Sequence, residues 1–204
     1  MTQYKRSHKP WQTLGLRLWA GVGLLLLLLT AGCAPGDSPG ATTPPVDVAA
    51  LIADANAAYE SFDWPRAVTL FEEVVTYQPD VAEWWTRYGW ALHNTQQFAK
   101  ALVALERAEQ LDPTNFWNPF GKARAYAALG RLPEAFAALE RAIALAPHRP
   151  GPHRLRVRLY LRAKDPDRAL AAVLTGLYYV PDDPQLLALW EEIQAKWLTS
   201  PQNP

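Results

Sequence analysis

Pro79, Pro113, Pro147 and Pro181 stand 34 residues apart, and no other feature of this 204-residue chain limits its fold so strongly. Ala67, Ala101, Ala135 and Ala169 keep the same step, each twelve residues ahead of its proline. Phe71, Leu105, Leu139 and Val173 keep it too. A fixed period of this length, repeated four times, means a stack of one supersecondary unit in which each copy buries its apolar face against its neighbours. The repeats run without insertion over 48–81, 82–115, 116–149 and 150–183.

Each unit reads as a helix, a turn, a second helix and a stop. "VTLFEEVVTYQPD", "LVALERAEQLDPT" and "FAALERAIALAPH" carry apolar residues at i, i+3, i+4 and i+7, the spacing of an amphipathic helix. The proline just past each of them has no N–H to give and ends it. The alanine early in each second helix lets the partner helix approach closely. Asp165-Pro166 and Asp183-Pro184 set an N-cap before a proline at the first helical position, and Asn118-Pro119 and Leu132-Pro133 start helices with a weaker cap or none. The expected fold class is all-α.

A 34-residue unit with these residues resembles the tetratricopeptide repeat. Trp85, Tyr88, Gly89, Leu92, Phe98, Ala101, Leu105, Ala108 and Pro113 fall on that family's signature positions in the second repeat. Ala123, Tyr126, Gly130, Ala135, Leu139, Ala142 and Pro147 do so in the third. Repeats one and four are looser. Val157 stands where a small residue is usual, Gly176 where alanine is, and Pro119 and His153 replace the signature tryptophan. The resemblance implies a right-handed superhelical solenoid of four helix pairs. Residues 184–199 would close its last face as a capping helix, with Leu186, Trp190, Ile193 and Trp197 in one stripe, and 200–204 would form a tail.

The same resemblance places the first helix of each repeat along a concave groove. Its facing positions fall on Ile52, Asn56, Tyr59 and Glu60, then on Glu83, Thr86, Trp90, His93 and Asn94. Phe120 and Arg124 follow in repeat three, with Trp117 less securely placed because Pro119 is read as the helix start. Repeat four supplies Arg154, Arg158, Leu161 and Arg162. Trp90 is expected to be exposed in the groove, since Trp84, Trp85 and Tyr88 already cover the packing faces of its helix. Arg154, Arg158 and Arg162 share one face at i, i+4 and i+8 and are expected to offer a basic surface to an acidic partner segment. A carboxylate clamp of the kind some members use is not supported: only Asn56 corresponds, while Ile52, Arg87, Trp117 and Gly121 occupy the other clamp positions.

Chemistry beyond binding finds no residues to carry it. His93, His148 and His153 are the histidines beyond the N-terminal segment, and no two have the i, i+4 spacing of a helical metal site. No phosphate loop, no Gly-x-Ser-x-Gly and no nucleophile–base pair is present. The expectation is a protein that is not an enzyme and uses no cofactor, metal or small-molecule substrate.

Cys33, the single cysteine, excludes an internal disulfide or a cysteine-ligated zinc. Lys5, Arg6, Lys9 and Arg17 precede it with no acid before Asp37, and Leu18–Leu29 is apolar but shorter than the ~20 residues of a transmembrane helix. Thr30-Ala31-Gly32-Cys33 resembles the lipobox of bacterial lipoproteins. That likeness implies a signal peptide at 1–32, a lipidated Cys33 and a disordered tether to residue 47. An uncleaved anchor would leave the chain on the same side of the membrane. The expected location is the bacterial envelope: the outer membrane where there are two, otherwise the outer face of the cytoplasmic membrane. Four of the 20 Lys+Arg precede Cys33, leaving 16 against 20 Asp+Glu, so a general nucleic-acid binder is disfavoured. The expected function is an envelope protein–protein adaptor. The alternative is a permanent structural or oligomerising subunit of a pilus, peptidoglycan or outer-membrane assembly.

Overall fold

The computed structural model describes residues 46–198. The signal segment, Cys33 and nearly all of the tether lie outside the described residues, as does the Trp197 side chain. Nine α-helices follow one another among the described residues. They are α1 (Val48–Glu60), α2 (Trp64–Tyr77), α3 (Ala82–Asn94), α4 (Phe98–Leu111), α5 (Trp117–Ala128), α6 (Leu132–Leu145), α7 (Pro150–Arg162), α8 (Pro166–Tyr179) and α9 (Pro184–Ile193), the last running into a π-turn at Gln194–Leu198. Helices α2, α4, α6 and α8 all begin and end in 34-residue register. None of the described helices is long and apolar enough to cross a membrane.

Periodic residues became periodic core. Ala67, Ala101, Ala135 and Ala169 are each fully buried, and so are Phe71, Leu105, Leu139 and Val173. The alanines admit the partner helix, and the larger side chains fill the space between consecutive pairs. The turn inside each repeat is also periodic. Phe62, Gln96, Gly130 and Lys164 all have φ between 57° and 76°, and the next residue's N–H reaches back to the carbonyl five residues earlier, from Asp63 to Ala58 through Asp165 to Tyr160. These are Schellman turns, which favour glycine at the left-handed position; only Gly130 supplies it.

Helix starts follow the aspartates. Asp47, Asp63, Asp165 and Asp183 each accept a backbone N–H of the first turn. Helix α5 departs from the reading of Asn118-Pro119 as its start. It begins two residues before Pro119, at Trp117, whose N–H donates to Asn115 Oδ1 (3.1 Å). Asn118 is instead fully buried and accepts from Thr86 Oγ1 (2.7 Å). Proline tolerates this placement because the first-turn N–H groups have no intrahelical partner anyway.

Replacement of the signature tryptophan has a local compensation. Trp85 Nε1 donates to the Pro79 carbonyl at 2.8 Å. His153, buried at the equivalent site, donates from Nε2 to the Pro147 carbonyl at the same distance and stacks on Tyr179. Burial holds its pKa below the usual histidine value, so the ring is neutral and the proton sits on the nitrogen facing the carbonyl. In repeat three Pro119 has no donor, and Asn118 Nδ2 reaches the Asp112 carbonyl (3.4 Å).

The cap is built from a slightly different stripe than expected. Leu186, Leu189 and Ile193 are buried against Val157, Ala169, Ala172 and Val173, while Trp190 is only half-buried at the edge of that cluster. A helix of ten residues presents positions 186, 189 and 193 inward; Trp190 flanks them.

Candidate partner-binding groove

Helices α1, α3, α5 and α7 form the inner layer, and a cleft opens at its N-terminal end. It has a volume of about 600 Å³. Tyr59 and Glu60 come from α1, Glu83, Thr86, Arg87 and Trp90 from α3, and Asp112, Asn115 and Trp117 from the α4–α5 connection and the start of α5. Trp117 is 43 % exposed and gives the cleft an accessible aromatic wall.

Trp90 corrects the expectation of an exposed anchor. It is 8 % exposed. Its ring lies 5.5 Å from Trp117 and 5.8 Å from Phe120, and Nε1 donates to the Trp117 carbonyl (3.3 Å). The reason is the next repeat: α5 packs against α3 and brings Trp117 and Phe120 onto the indole, so the face left open by Trp84, Trp85 and Tyr88 is covered from outside the repeat. One edge of the indole still lines the cleft. The exposed aromatic is Trp117, on the helix whose start the sequence placed two residues too late.

Arg124 lies over the Trp90 ring, its guanidinium carbon 5.0 Å from the centroid. It is half-buried and makes no ion pair with a carboxylate among the described residues. His93 packs against Trp90 and Phe98, its Nδ1 enclosed without a hydrogen-bond partner. Burial, with help from the nearby Arg124 charge, pushes His93 down to about 4, so it is neutral near pH 7. Tyr59 is raised by burial, against the opposing pull of Arg87 and Arg124, and stays a hydroxyl donor. Arg87 sits 5.5 Å from the Tyr59 ring centre and holds Glu83 at 2.8 Å.

Acidic groups line the same cleft. Asp112 accepts from the Thr114 hydroxyl (2.7 Å) and N–H (3.0 Å), which hold its carboxyl below the usual range. Glu60 is exposed. Asn56, one turn before Glu60 on α1, is half-buried with its Oδ1 enclosed and unpartnered; Asn94 is exposed and donates to the Trp90 carbonyl.

The arginine stripe of α7 is not a uniformly free surface. Arg154 pairs through two nitrogens with Asp183, which is 5 % exposed, its Nε donating to Oδ1 at 2.8 Å. Arg158 donates to Gln185 Oε1 (3.1 Å), and Arg162 donates to the Ala127 carbonyl on α5 (2.9 Å). These contacts place the stripe on the inner layer, between α5 and α9. Arg158 and Arg162 remain exposed and without a carboxylate partner among the described residues. Asp165, the neighbouring acid that could have offset them, instead faces Arg168 at 3.4 Å. Glu60, Tyr59 and Trp90 therefore meet in one cleft, Phe120, His93 and Arg124 adjoin it, and the α7 arginines lie a repeat away. The sequence offered no groove role for Asp112, Asn115 or Arg87. The "DPTN" stop after α4 marked a turn, and nothing local shows that the turn forms a wall of the cleft.

Two family models, each described as tetratricopeptide repeat, match residues 52–116 and 126–193 and together span well over half of the chain. The chain belongs to the tetratricopeptide-repeat family. Solved structures agree in fold. MamA from Desulfovibrio magneticus RS-1 superimposes with a TM-score of 0.62 at 23 % identity, over 65 % of this chain and 75 % of that one. TTC0263, a thermophilic tetratricopeptide-repeat protein from Thermus thermophilus, gives 0.61 at 23 % identity, over 74 % and 84 %. YrrB, described as a tetratricopeptide-repeat protein with an unusual peptide-binding site, gives 0.64 at 19 % identity, over 71 % and 75 %. No protein of curated function matches the chain. As a tetratricopeptide-repeat protein, the molecule is a protein–protein interaction module. Among the described residues no group of histidine, cysteine, aspartate or glutamate side chains could hold a metal ion.

Proposed function

We propose that this tetratricopeptide-repeat protein is a lipid-anchored adaptor of the bacterial envelope that docks an extended segment of a partner protein in the cleft between α1, α3 and α5. The observation that carries the docking site is the cleft itself: about 600 Å³, on the inner layer, with one exposed tryptophan and charged groups around it. Aromatic side chains at the centre of such a surface dominate the energy of many interfaces. The anchor rests on Thr30-Ala31-Gly32-Cys33 and the basic, then apolar, residues ahead of it. YrrB, similar in fold, is a precedent for a peptide site on this architecture.

The test is a pull-down from envelope extract with the full chain, beside a Tyr59→Ala, Trp117→Ala variant that keeps the helical circular-dichroism spectrum. A partner retained by the wild type and lost by the variant supports the cleft. A partner retained equally by both overturns it. One surface favours the structural-subunit alternative: on α8, Leu174 is 49 % and Tyr178 79 % exposed, one turn apart, a ridge away from the cleft. A stable dimer that Tyr178→Ser disperses would favour that reading.

A further inference from the structure

The charges around the groove are not mixed; they are sorted along the stack. Glu60, Glu83 and Asp112, from repeats one and two, line the cleft, and Arg87 answers only one of them, Glu83. Beyond Trp90 the sign changes: Arg124, Arg158 and Arg162 are cationic and have no carboxylate partner among the described residues. Trp117 lies at the boundary. Its ring is 5.5 Å from that of Trp90, which in turn lies 5.0 Å under the Arg124 guanidinium. The exposed indole and the free cation are therefore within about 10 Å, a span an extended chain covers in about three residues.

An unpaired, half-buried guanidinium stacked on an indole is an incomplete arrangement. The ring supplies part of the attraction a cation needs, and the guanidinium edge keeps its N–H donors for a carboxylate. The Glu60 and Asp112 carboxylates share the cleft lining with Tyr59 and Trp117, and carboxylates together with aromatic rings suit an ammonium or guanidinium. The occupant that neutralises both ends cannot be uniformly acidic, because Glu60 and Asp112 would repel it, nor uniformly basic, because Arg124, Arg158 and Arg162 would. We infer that the groove selects an extended partner segment with segregated charge: a lysine or arginine at the Glu60–Asp112 end, an apolar residue on Trp117, and aspartate or glutamate running from Arg124 toward Arg158. This inference rests on the cleft being the docking site and goes beyond it by fixing the order of charges in the partner.

A random peptide library selected on the full chain in detergent tests it. Recovered peptides should carry a basic residue, then an apolar one, then acids about three or more residues further on, or the same pattern in the reverse chain direction. Glu60→Lys and Arg158→Glu change exposed residues, so both variants should keep the helical spectrum. Each should weaken the selected peptides by about two- to fivefold, the scale of an exposed charge contact. Glu60→Lys should lose enrichment of the basic residue alone, and Arg158→Glu that of the acids alone. Peptides that are uniformly acidic, or whose charge is unsorted, overturn the inference and leave the cleft reading standing. Peptides that bind the Tyr59→Ala, Trp117→Ala variant as well as the wild type, or no recovered peptide at all, overturn the cleft reading and this inference with it.

Discussion

A Cβ added at Gly89 would lie 2.6 Å from Leu105 Cγ and 3.4 Å from the Ala101 carbonyl, so α3 approaches α4 closely because this residue has no side chain. Leu105 is fully buried and also meets Gly121 from the far side, where a Cβ would fall 2.8 Å from its Cδ1. Pinned between two helices, that leucine has little room to move. Gly89→Ala is expected to cost about 1–3 kcal/mol by overpacking, although alanine is the better helix former. Urea unfolding measures it, and an unchanged midpoint would show that the helices slide apart freely. Two histidines act in another way. His93 and His153 are held neutral by burial, with folded-state pKa values below the ordinary 6.5. The unfolded chain therefore binds protons first as pH falls, and stability is full above about 6.5 and declines below it, for His93 down to about 4. The melting temperature should drop between pH 7.5 and pH 5.5, a range above most carboxylate titration, and His93→Gln should shrink the drop. A flat profile over that range would contradict the burial argument.

Among the helices, the turns and the cap are where sequence and stability can be separated. Gln96 is exposed and holds φ at 62°, a conformation that strains a side chain by about 1–2 kcal/mol and glycine hardly at all. After the greater entropy glycine loses on folding, Gln96→Gly should stabilise the domain by about 0.5–1 kcal/mol. Loss of stability in thermal unfolding would mean the side chain makes a contact worth more than the strain. At the other end, Leu186 is fully buried under α9 and Trp190 only half-buried. Leu186→Ala should cost about 2–5 kcal/mol, and Trp190→Ala clearly less than the roughly 3–5 kcal/mol typical of a core tryptophan. The reverse order would put the cap in a different rotation about its axis. Asp183 ties the same cap twice, accepting from Leu186 N–H (2.8 Å) and pairing with Arg154. The Arg154 guanidinium beside it holds its carboxyl below the usual carboxylate range. Asp183→Ala should destabilise by more than an N-cap's ordinary ~1 kcal/mol, since it also leaves a half-buried arginine unpaired.

For the whole molecule the open question is attachment. Stable anchoring by acyl chains takes more than one of them, so a lipid-modified Cys33 would hold the adaptor at the membrane surface. Cys33→Ser is expected to leave an unprocessed precursor or to release the protein from the membrane fraction, read by fractionation and mass. Processed, membrane-bound protein in that variant would refute the anchor. If partners dock as proposed, their retention should weaken as salt rises, because Glu60 and Arg158 are exposed and charge interactions there are screened beyond about 10 Å at 0.1 M salt.

The 34-residue step alone determined the helices, their order and the eight alanine, phenylalanine, leucine and valine positions at the repeat centres. Those depend on contacts that recur at fixed spacing, so any one copy predicts the others. The caps at Asp165 and Asp183 were legible for a related reason: a cap is satisfied within three residues of its own helix. What the sequence left undecided are contacts between one repeat and the next. Trp90 is covered because α5 packs against α3; Arg154 loses its freedom to an aspartate 29 residues away; the α4–α5 turn becomes a wall of the cleft. Each depends on the angle at which neighbouring pairs stack. That angle is set by the summed packing of many side chains, such as Leu105 held between Gly89 and Gly121, and by no single residue's spacing.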